Sequence, residues 1–257
     1  MNKKRTFLLI LMVFFVLFLV NTKKKDPGDS SGILSYLEGK AQKTETKEDM
    51  WEFLAQLDPV TGGEKVKTLE KSRAELKLDL GKIIRMAPLT EVDVLKLYKE
   101  VTEKGQKTQA KIKITEGQIY SKIDELGEDD SLEIETPLAS ATIRGTIFQV
   151  NCESKDKVEL DVLKGEVWVY SNDVEDPYEF FKKNQGKAKR IGRPFKRIKK
   201  PYERVTKEQW MKIVKDMQRI VIGKDGSKTV SDLTKEDIEN KWVEWNKEMD
   251  GGKEPQK

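Results

Sequence analysis

Between Pro137 and Cys152, in "TPLASATIRGTIFQVNC", the apolar residues change sides. Ala139, Ala141 and Ile143 share one parity, and beyond the glycine Phe148, Val150 and Cys152 take the other. A strand points successive side chains to opposite faces, so a continuous strand trades its inward set only through an extra residue or a corner. Gly145 lies inside the change, where a bulge needs a residue that tolerates positive φ. Pro137 donates no ladder hydrogen bond and marks an edge or a strand start. The segment predicts a strand that begins at an edge, bends at Arg144–Thr146 and crosses into a facing layer. Arg144 then serves as a structural donor at the corner, with ligand contact as the lesser alternative.

The same period-two alternation recurs along the chain. Ala74, Leu76, Leu78 and Leu80 alternate with charged neighbours, as do Ile112 and Ile114, Leu132 and Ile134, Val158, Leu160 and Val162, and Val167 and Val169. "DLGK", "ITEGQ", "ELGEDDS" and "LKGE" supply turns between them. Residues 33–171 are expected to form one antiparallel β-sandwich or barrel of roughly ten strands. Within it, residues 45–57 have Trp51, Leu54 and Ala55 at helical spacing and predict a short helix.

Ahead of this region stands "MNKKRTFLLILMVFFVLFLVNTKKK". Its unbroken apolar run, Phe7 to Val20, would reach about 21 Å as a helix, against a hydrocarbon core of about 30 Å. That length suits a signal peptide, yet no small-x-small cleavage pattern follows. Flanking lysines can snorkel and a bilayer can thin, so residues 1–25 are expected to be a retained signal anchor or transmembrane helix, ahead of a cleaved signal. Either route exports the bulk of the chain. Residues 26–32, "DPGDSSG", form a turn-rich linker.

Composition narrows the chemistry. There is no histidine, which removes the commonest general base and neutral metal ligand. The single cysteine, Cys152, falls on the inward parity and reads as a buried, inert thiol. No cofactor and no metal site are expected. The formal charge of +4 comes from the first 25 residues, and the rest has 43 basic against 45 acidic groups. The acids of "ELGEDD" (Glu125, Glu128, Asp129 and Asp130) lack calcium-loop spacing and suit a solvated turn.

Taken in order, these segments resemble a FecR domain over about residues 35–171. The likeness opens at "EGKAQKT" and Trp51, and continues through "GGEKVKTLEKSRAELKLDLGKIIRMAPLTEV" and "KITEGQIY". It is strongest in "IETPLASATIRGTIFQV" and closes with "VLKGEVWV". Its motif positions are Thr136, Pro137, Arg144, Gly145, Thr146 and Phe148, all of structural character. Glu64 stands where the family usually has Asp. The resemblance implies a mainly β, extracytoplasmic domain of sandwich or jelly-roll-like form. In the family's founding members such a domain relays an outer-membrane signal to a sigma factor through a cytoplasmic helical segment. About six residues precede the apolar run here, too few for such a segment, so the chain is similar to the stand-alone, anchored or secreted type.

Beyond 171 the composition shifts. Residues 172–205 form a connector in which the stretch 182–204 holds eleven Lys and Arg against Glu203, a net of +10. Residues 26–181 carry −12. The segment suits either its own acidic β domain or an anionic partner such as lipid headgroups or envelope polymer. The candidate contacts are Lys189, Arg190, Arg193, Lys196, Arg197, Lys199 and Lys200. Residues 206–249 predict a helix, a hairpin and a helix. "TKEQ" offers a capping box ahead of Trp210, Ile213, Val214 and Met217, and "RIVIGKDGSKTV" a hairpin turning at Lys224–Gly226. The last helix starts near Thr234 with Ile238, Trp242, Trp245 and Met249 on one face, docked on the β domain. Residues 250–257 are expected to fray.

No catalytic constellation emerges. The first expectation is therefore a non-catalytic, extracytoplasmic binding module displayed from the inner membrane, on the periplasmic side, with an envelope protein, glycan or anionic polymer as its partner. The alternative is a component of envelope signalling that regulates a sigma factor through a separate partner. A glycan-active enzyme ranks third, and nucleic acid suits an exported chain poorly.

Overall fold

The computed structural model describes residues 30–45, 50–78, 81–102, 105–123, 130–153, 155–175, 179–180 and 209–251. The apolar N-terminal run, the 182–204 basic segment and residues 252–257 lie outside these. Among the described residues no helix is long and apolar enough to cross a membrane.

Fifteen strands form one hydrogen-bonded network. They are β1 (Ser31–Glu38), β2 (Ala41–Glu45), β3 (Glu52–Leu54), β4 (Pro59–Thr61), β5 (Glu64–Thr68), β6 (Arg73–Leu78), β7 (Lys82–Met86) and β8 (Glu91–Thr102). There follow β9 (Gly105–Ile123), β10 (Ser131–Glu135), β11 (Ser140–Glu153), β12 (Lys157–Tyr170), β13 (Met211–Lys215), β14 (Gln218–Gly223) and β15 (Lys228–Asp232). Two short helices close the described chain, α1 (Lys235–Ile238) and α2 (Lys241–Asp250).

The network contains two runs of neighbours. One passes from β4 through β1, β6 and β7 to the C-terminal half of β9. It continues through the C-terminal half of β11 and the N-terminal half of β12 to β14 and β15. The other passes from β3 through β2, β5 and β8 to the N-terminal half of β9. It continues through β10, the N-terminal half of β11 and the C-terminal half of β12 to β13. All pairs are antiparallel except β9–β10. Three long strands thus belong to both runs.

The reason is visible in their side chains. In β11 the core set changes from Ala141 and Ile143 to Phe148, Val150 and Cys152, and its pairing with β12 slips between Arg144 and Ile147. In β9 it changes from Ala110, Ile112 and Ile114 to Ile119, Ser121 and Ile123. In β12 it changes from Val158, Leu160 and Val162 to Val167 and Val169. Each switch contains one glycine at positive φ: Gly117, Gly145 and Gly165. The expected bend at Arg144–Thr146 is therefore present, and it is one of three.

Backbone contacts also tie the runs together elsewhere. The Ser30 amide donates to Leu97 O at 3.2 Å, and the Gly63 amide to Val94 O at 2.7 Å. The Thr68 hydroxyl donates to Ala87 O at 2.6 Å. The result is a small barrel-like core with added strands, around one cluster that includes Leu34, Leu76, Ile112, Ile134, Phe148 and Val167. Of the sandwich or barrel that was expected, the barrel-like form is present, and strands that cross between layers make the ladder continuous.

Four other expectations are corrected. Residues 50–57 are not helical: β3 pairs with β2, Leu54 alone is buried, and the Trp51 ring lies 3.7 Å from Lys67 Nζ. Residues 209–217 are not helical either. β13 extends the open edge that β12 presents at Glu166–Tyr170, with Val214 buried, and Met217 turns at φ +58° into β14. Pairing at that edge overrides a helical spacing. The predicted hairpin is β14–β15, with Gly226 in its turn at φ +83°. The final helix is split: Thr234 caps α1 through a capping box with Asp237, and Asn240 caps α2. Asp250 does not fray; it ends α2 in an ion pair described below.

A Cβ on Gly165 would lie 2.5 Å from Thr146 Cγ2 and 2.9 Å from Gly145 O, whereas one on Gly226 would meet nothing within 4 Å. Both residues have positive φ. Gly226→Ala is expected to cost about 1–2 kcal/mol from backbone strain alone, and Gly165→Ala about 2–4 kcal/mol, because overpacking adds to it. Urea unfolding of the two variants checks this order.

Candidate functional site

The family-motif residues do not converge on an open site. Thr136 Oγ1 donates to Ala139 O at 2.7 Å and accepts from the Ala139 amide at 3.0 Å, which fixes the turn into β11. Arg144 lies in the β11 ladder opposite Glu166, and its side chain is outside the described residues. Thr146 and Phe148 are buried. Gly145 makes the bend. Pro137 lines a cleft of about 590 Å³, together with Leu138, Asn172, Trp210, Asp225 and Lys228. Its polar rim is largely engaged. Asn172 accepts from Ser140 Oγ at 2.8 Å and donates to Thr136 O at 3.0 Å, and Lys228 Nζ lies 5.0 Å from the Trp210 ring. The seven candidate anionic contacts, Lys189 to Lys200, fall outside the described residues.

Cys152 accords with its inward parity. It is 2% exposed, and burial pushes its thiol up to about 12. Asp130, from the acidic turn, is also buried and accepts from the Thr108 amide at 2.7 Å. Among the described residues no group of three or more Asp, Glu or Cys side chains could hold a metal ion.

The polar chemistry gathers elsewhere. The strand registers place Tyr36, Glu75, Arg85, Tyr120, Gln149, Asp161, Arg219 and Ser231 in one transverse row across eight strands. These are outward positions of their alternations, yet Arg85 is 2% and Asp161 3% exposed. The row's charged groups find partners both along the row and in the two C-terminal helices.

At one end, Arg85 Nε donates to Glu75 Oε2 at 2.7 Å, and its Nη1 lies 2.8 Å from Asp250 and 3.0 Å from Asn246 O. Tyr120 Oη donates to Asp250 Oδ2 at 2.9 Å, and burial together with that carboxylate holds the phenol above its usual range. Ser35 Oγ donates to the second Glu75 oxygen at 2.6 Å. Trp245 packs against Tyr36, ring centroids 5.9 Å apart, with the Arg73 guanidinium 5.1 Å over its ring. Trp242 stacks on Trp245 at 5.3 Å. The expectation that the tryptophans dock on the β domain holds for Trp245, and Trp242 packs on Trp245 rather than on the strands.

At the other end, Arg219 grips Asp161 bidentately, at 2.6 and 2.7 Å, and Gln149 donates to the same carboxylate at 2.7 Å. Arg219 also reaches Asp237 of α1 at 2.9 Å. The Asp237 carboxyl titrates below the usual carboxylate range, first because it accepts from the Thr234 backbone and then through Thr234 Oγ1 and Arg219.

Sequence reasoning missed Glu75, Arg85, Tyr120 and Asp161. Alternation assigns such positions to solvent, and nothing local says that a helix 161 residues later in the chain covers Arg85. The available signal was the tryptophan pair of the last helix, which needs a surface to cover. The charged and aromatic groups at the Tyr36–Tyr120 end of the row are engaged with α2 of the same chain.

Three comparisons with known proteins bear on this. Residues 64–168 match the family model described as "FecR protein". Two crystal structures from Parabacteroides distasonis ATCC 8503, each described as of "a putative anti-sigma factor", are similar to the chain at 11% identity. The 1.65 Å structure has a TM-score of 0.44, with 68% of this chain and 62% of that one covered. The 2.50 Å structure has a TM-score of 0.45, with 71% and 63% covered. The chain therefore spans less than two thirds of their length. A search of curated proteins gives no match.

Two outcomes follow from the geometry. Asp161→Ala leaves Arg219 and Gln149 without their shared acceptor and is expected to cost about 3 kcal/mol in urea unfolding, the low end for a broken buried pair, since Arg219 keeps some contact with water. Because the Cys152 pKa is raised in the folded chain, its contribution to stability is complete below the ordinary thiol pKa and is lost as pH rises past it. Iodoacetamide at pH 8.5 should label Cys152 only at the rate of unfolding, and rapid labelling of the native chain would refute its burial.

Proposed function

We propose that this chain, a FecR-domain protein, is a non-catalytic interaction module of envelope signalling that acts on a sigma-factor system through a separate membrane-spanning partner. The family match over residues 64–168 carries this reading. The surface chemistry supports it. Arg85 and Arg219 of the outer row hold the two helices, and the single cysteine is sealed in the core. In this reading the Phe7–Val20 run anchors the chain in the inner membrane and the β body lies in the periplasm. The 182–204 segment, from Lys189 and Arg190 through Arg193, Lys196 and Arg197 to Lys199 and Lys200, meets an anionic surface of the envelope.

Two measurements test the proposal. Removing the chain from its cell is expected to change transcription of genes under an alternative sigma factor, and in-cell crosslinking should trap a membrane-spanning regulator. Unchanged transcripts under envelope stress, with no such regulator trapped, would refute it. Neutralising the seven named basic residues to Gln is expected to weaken association of the full chain with anionic vesicles by roughly tenfold or more, since each contributes about 1 kcal/mol near a charged bilayer. Equal association of both forms would refute the electrostatic contact.

A further inference from the structure

We propose that α2 is a releasable strap, and that the face it covers is a docking groove for an acidic, aromatic-bearing helix of a partner protein.

The strand network does not depend on α2. Every strand finds its neighbours without it, and among the described residues the main core cluster draws none from α2. Only Val243, Trp245 and Asn246 of its ten residues are buried. A segment with so few buried apolar contacts opens before the body it rests on. Its connections fit a strap. Asn240 Oδ1 caps α2 by accepting from the Trp242 and Val243 amides, each at 3.0 Å. Upstream, Arg219–Asp237 holds α1, and across the Glu239–Asn240 junction Asn240 Nδ2 donates to Asp237 O at 2.8 Å and Lys247 Nζ to Ile238 O at 3.1 Å.

The groove is formed before anything docks in it. Glu75 and Ser35 belong to the strands and hold Arg85 in place from beneath, at 2.7 Å and through a shared carboxylate. One carboxylate of the Arg85 site is therefore resident. The second, Asp250, arrives with the helix. The charges that meet α2 from the strands are Arg73, Arg85 and Lys122, the last 3.9 Å from Asp250, against Glu75 and Glu38. That leaves an excess of positive charge facing the helix. Beside it lies an aromatic seat made by Tyr36 and the Arg73 guanidinium. α2 itself shows what fits: an aromatic residue, then a carboxylate five positions later, about 1.4 turns along the same helix. A helix of that pattern on another protein would compete with α2 for the same contacts. Who supplies it rests on the signalling reading above; the release of α2 does not.

The test uses the full chain in detergent. Hydrogen exchange of the unaltered protein should show α2 amides exchanging at least about tenfold faster than those of Phe148–Val150, at a rate independent of low denaturant. In Asp250→Asn, α2 exchange should rise further while β9 and β11 are unchanged. A labelled peptide of residues 241–250 should bind that variant at least about tenfold more tightly than it binds the unaltered chain, because the competing strap is loosened. The same peptide carrying Asn for Asp should fail to bind. α2 exchanging only together with the strands would overturn the strap. A silent peptide would overturn the groove. A doubled mass of Asp250→Asn that the peptide suppresses would place a second copy of this chain, rather than a separate partner, in the groove. None of these results decides whether a sigma factor is involved, so the two readings fail separately.

Discussion

The structure depends on three strands that change which side faces the core. Gly117, Gly145 and Gly165 each sit at positive φ where an inward set of side chains gives way to the opposite parity. Because β9, β11 and β12 do this, each serves two runs of neighbours, and fifteen strands close around one core. The bends are coupled sterically. The absent side chain of Gly165 leaves room for Thr146 and the Gly145 carbonyl, so the arginine–glycine–threonine of one strand and the lysine–glycine–glutamate of the next are two halves of one corner.

The corner sets the outer face. With the registers fixed, eight strands align one residue each into a polar row, in which Arg85 and Arg219 pair with acids of neighbouring strands and of the two helices. A buried arginine between a resident and an incoming carboxylate is a weak source of net stability but a demanding one in geometry. It stabilises the docked helix only when that helix brings its acid to the right turn. This is the property expected of a recognition surface.

The β character, the bend at Arg144–Thr146, the buried Cys152 and the β14–β15 turn were all legible from parity and turn chemistry. The switches at Gly117 and Gly165 carried the same parity signal, Ile112–Ile114 against Ile119 and Val162 against Val167, but only the one at Gly145 was read from it. The helix expected at 206–217 failed because Trp210, Ile213, Val214 and Met217 fit a helical face, while the deciding fact was the open edge of β12, a tertiary feature. The helix at 45–57 failed similarly, with β2 supplying the partner. Arg85 and Asp161 were illegible because alternation describes a strand's faces and says nothing of what later covers them. The basic run at 182–204 lies outside the described residues.

The register of the outer row tests the central claim most directly. Backbone NMR contacts across neighbouring strands should link Tyr120 to Gln149, Gln149 to Asp161 and Asp161 to Arg219, while Ile112 links to Ile134 on the far side of Gly117. A β9 that kept the same pair of neighbours on both sides of Gly117 would contradict the account.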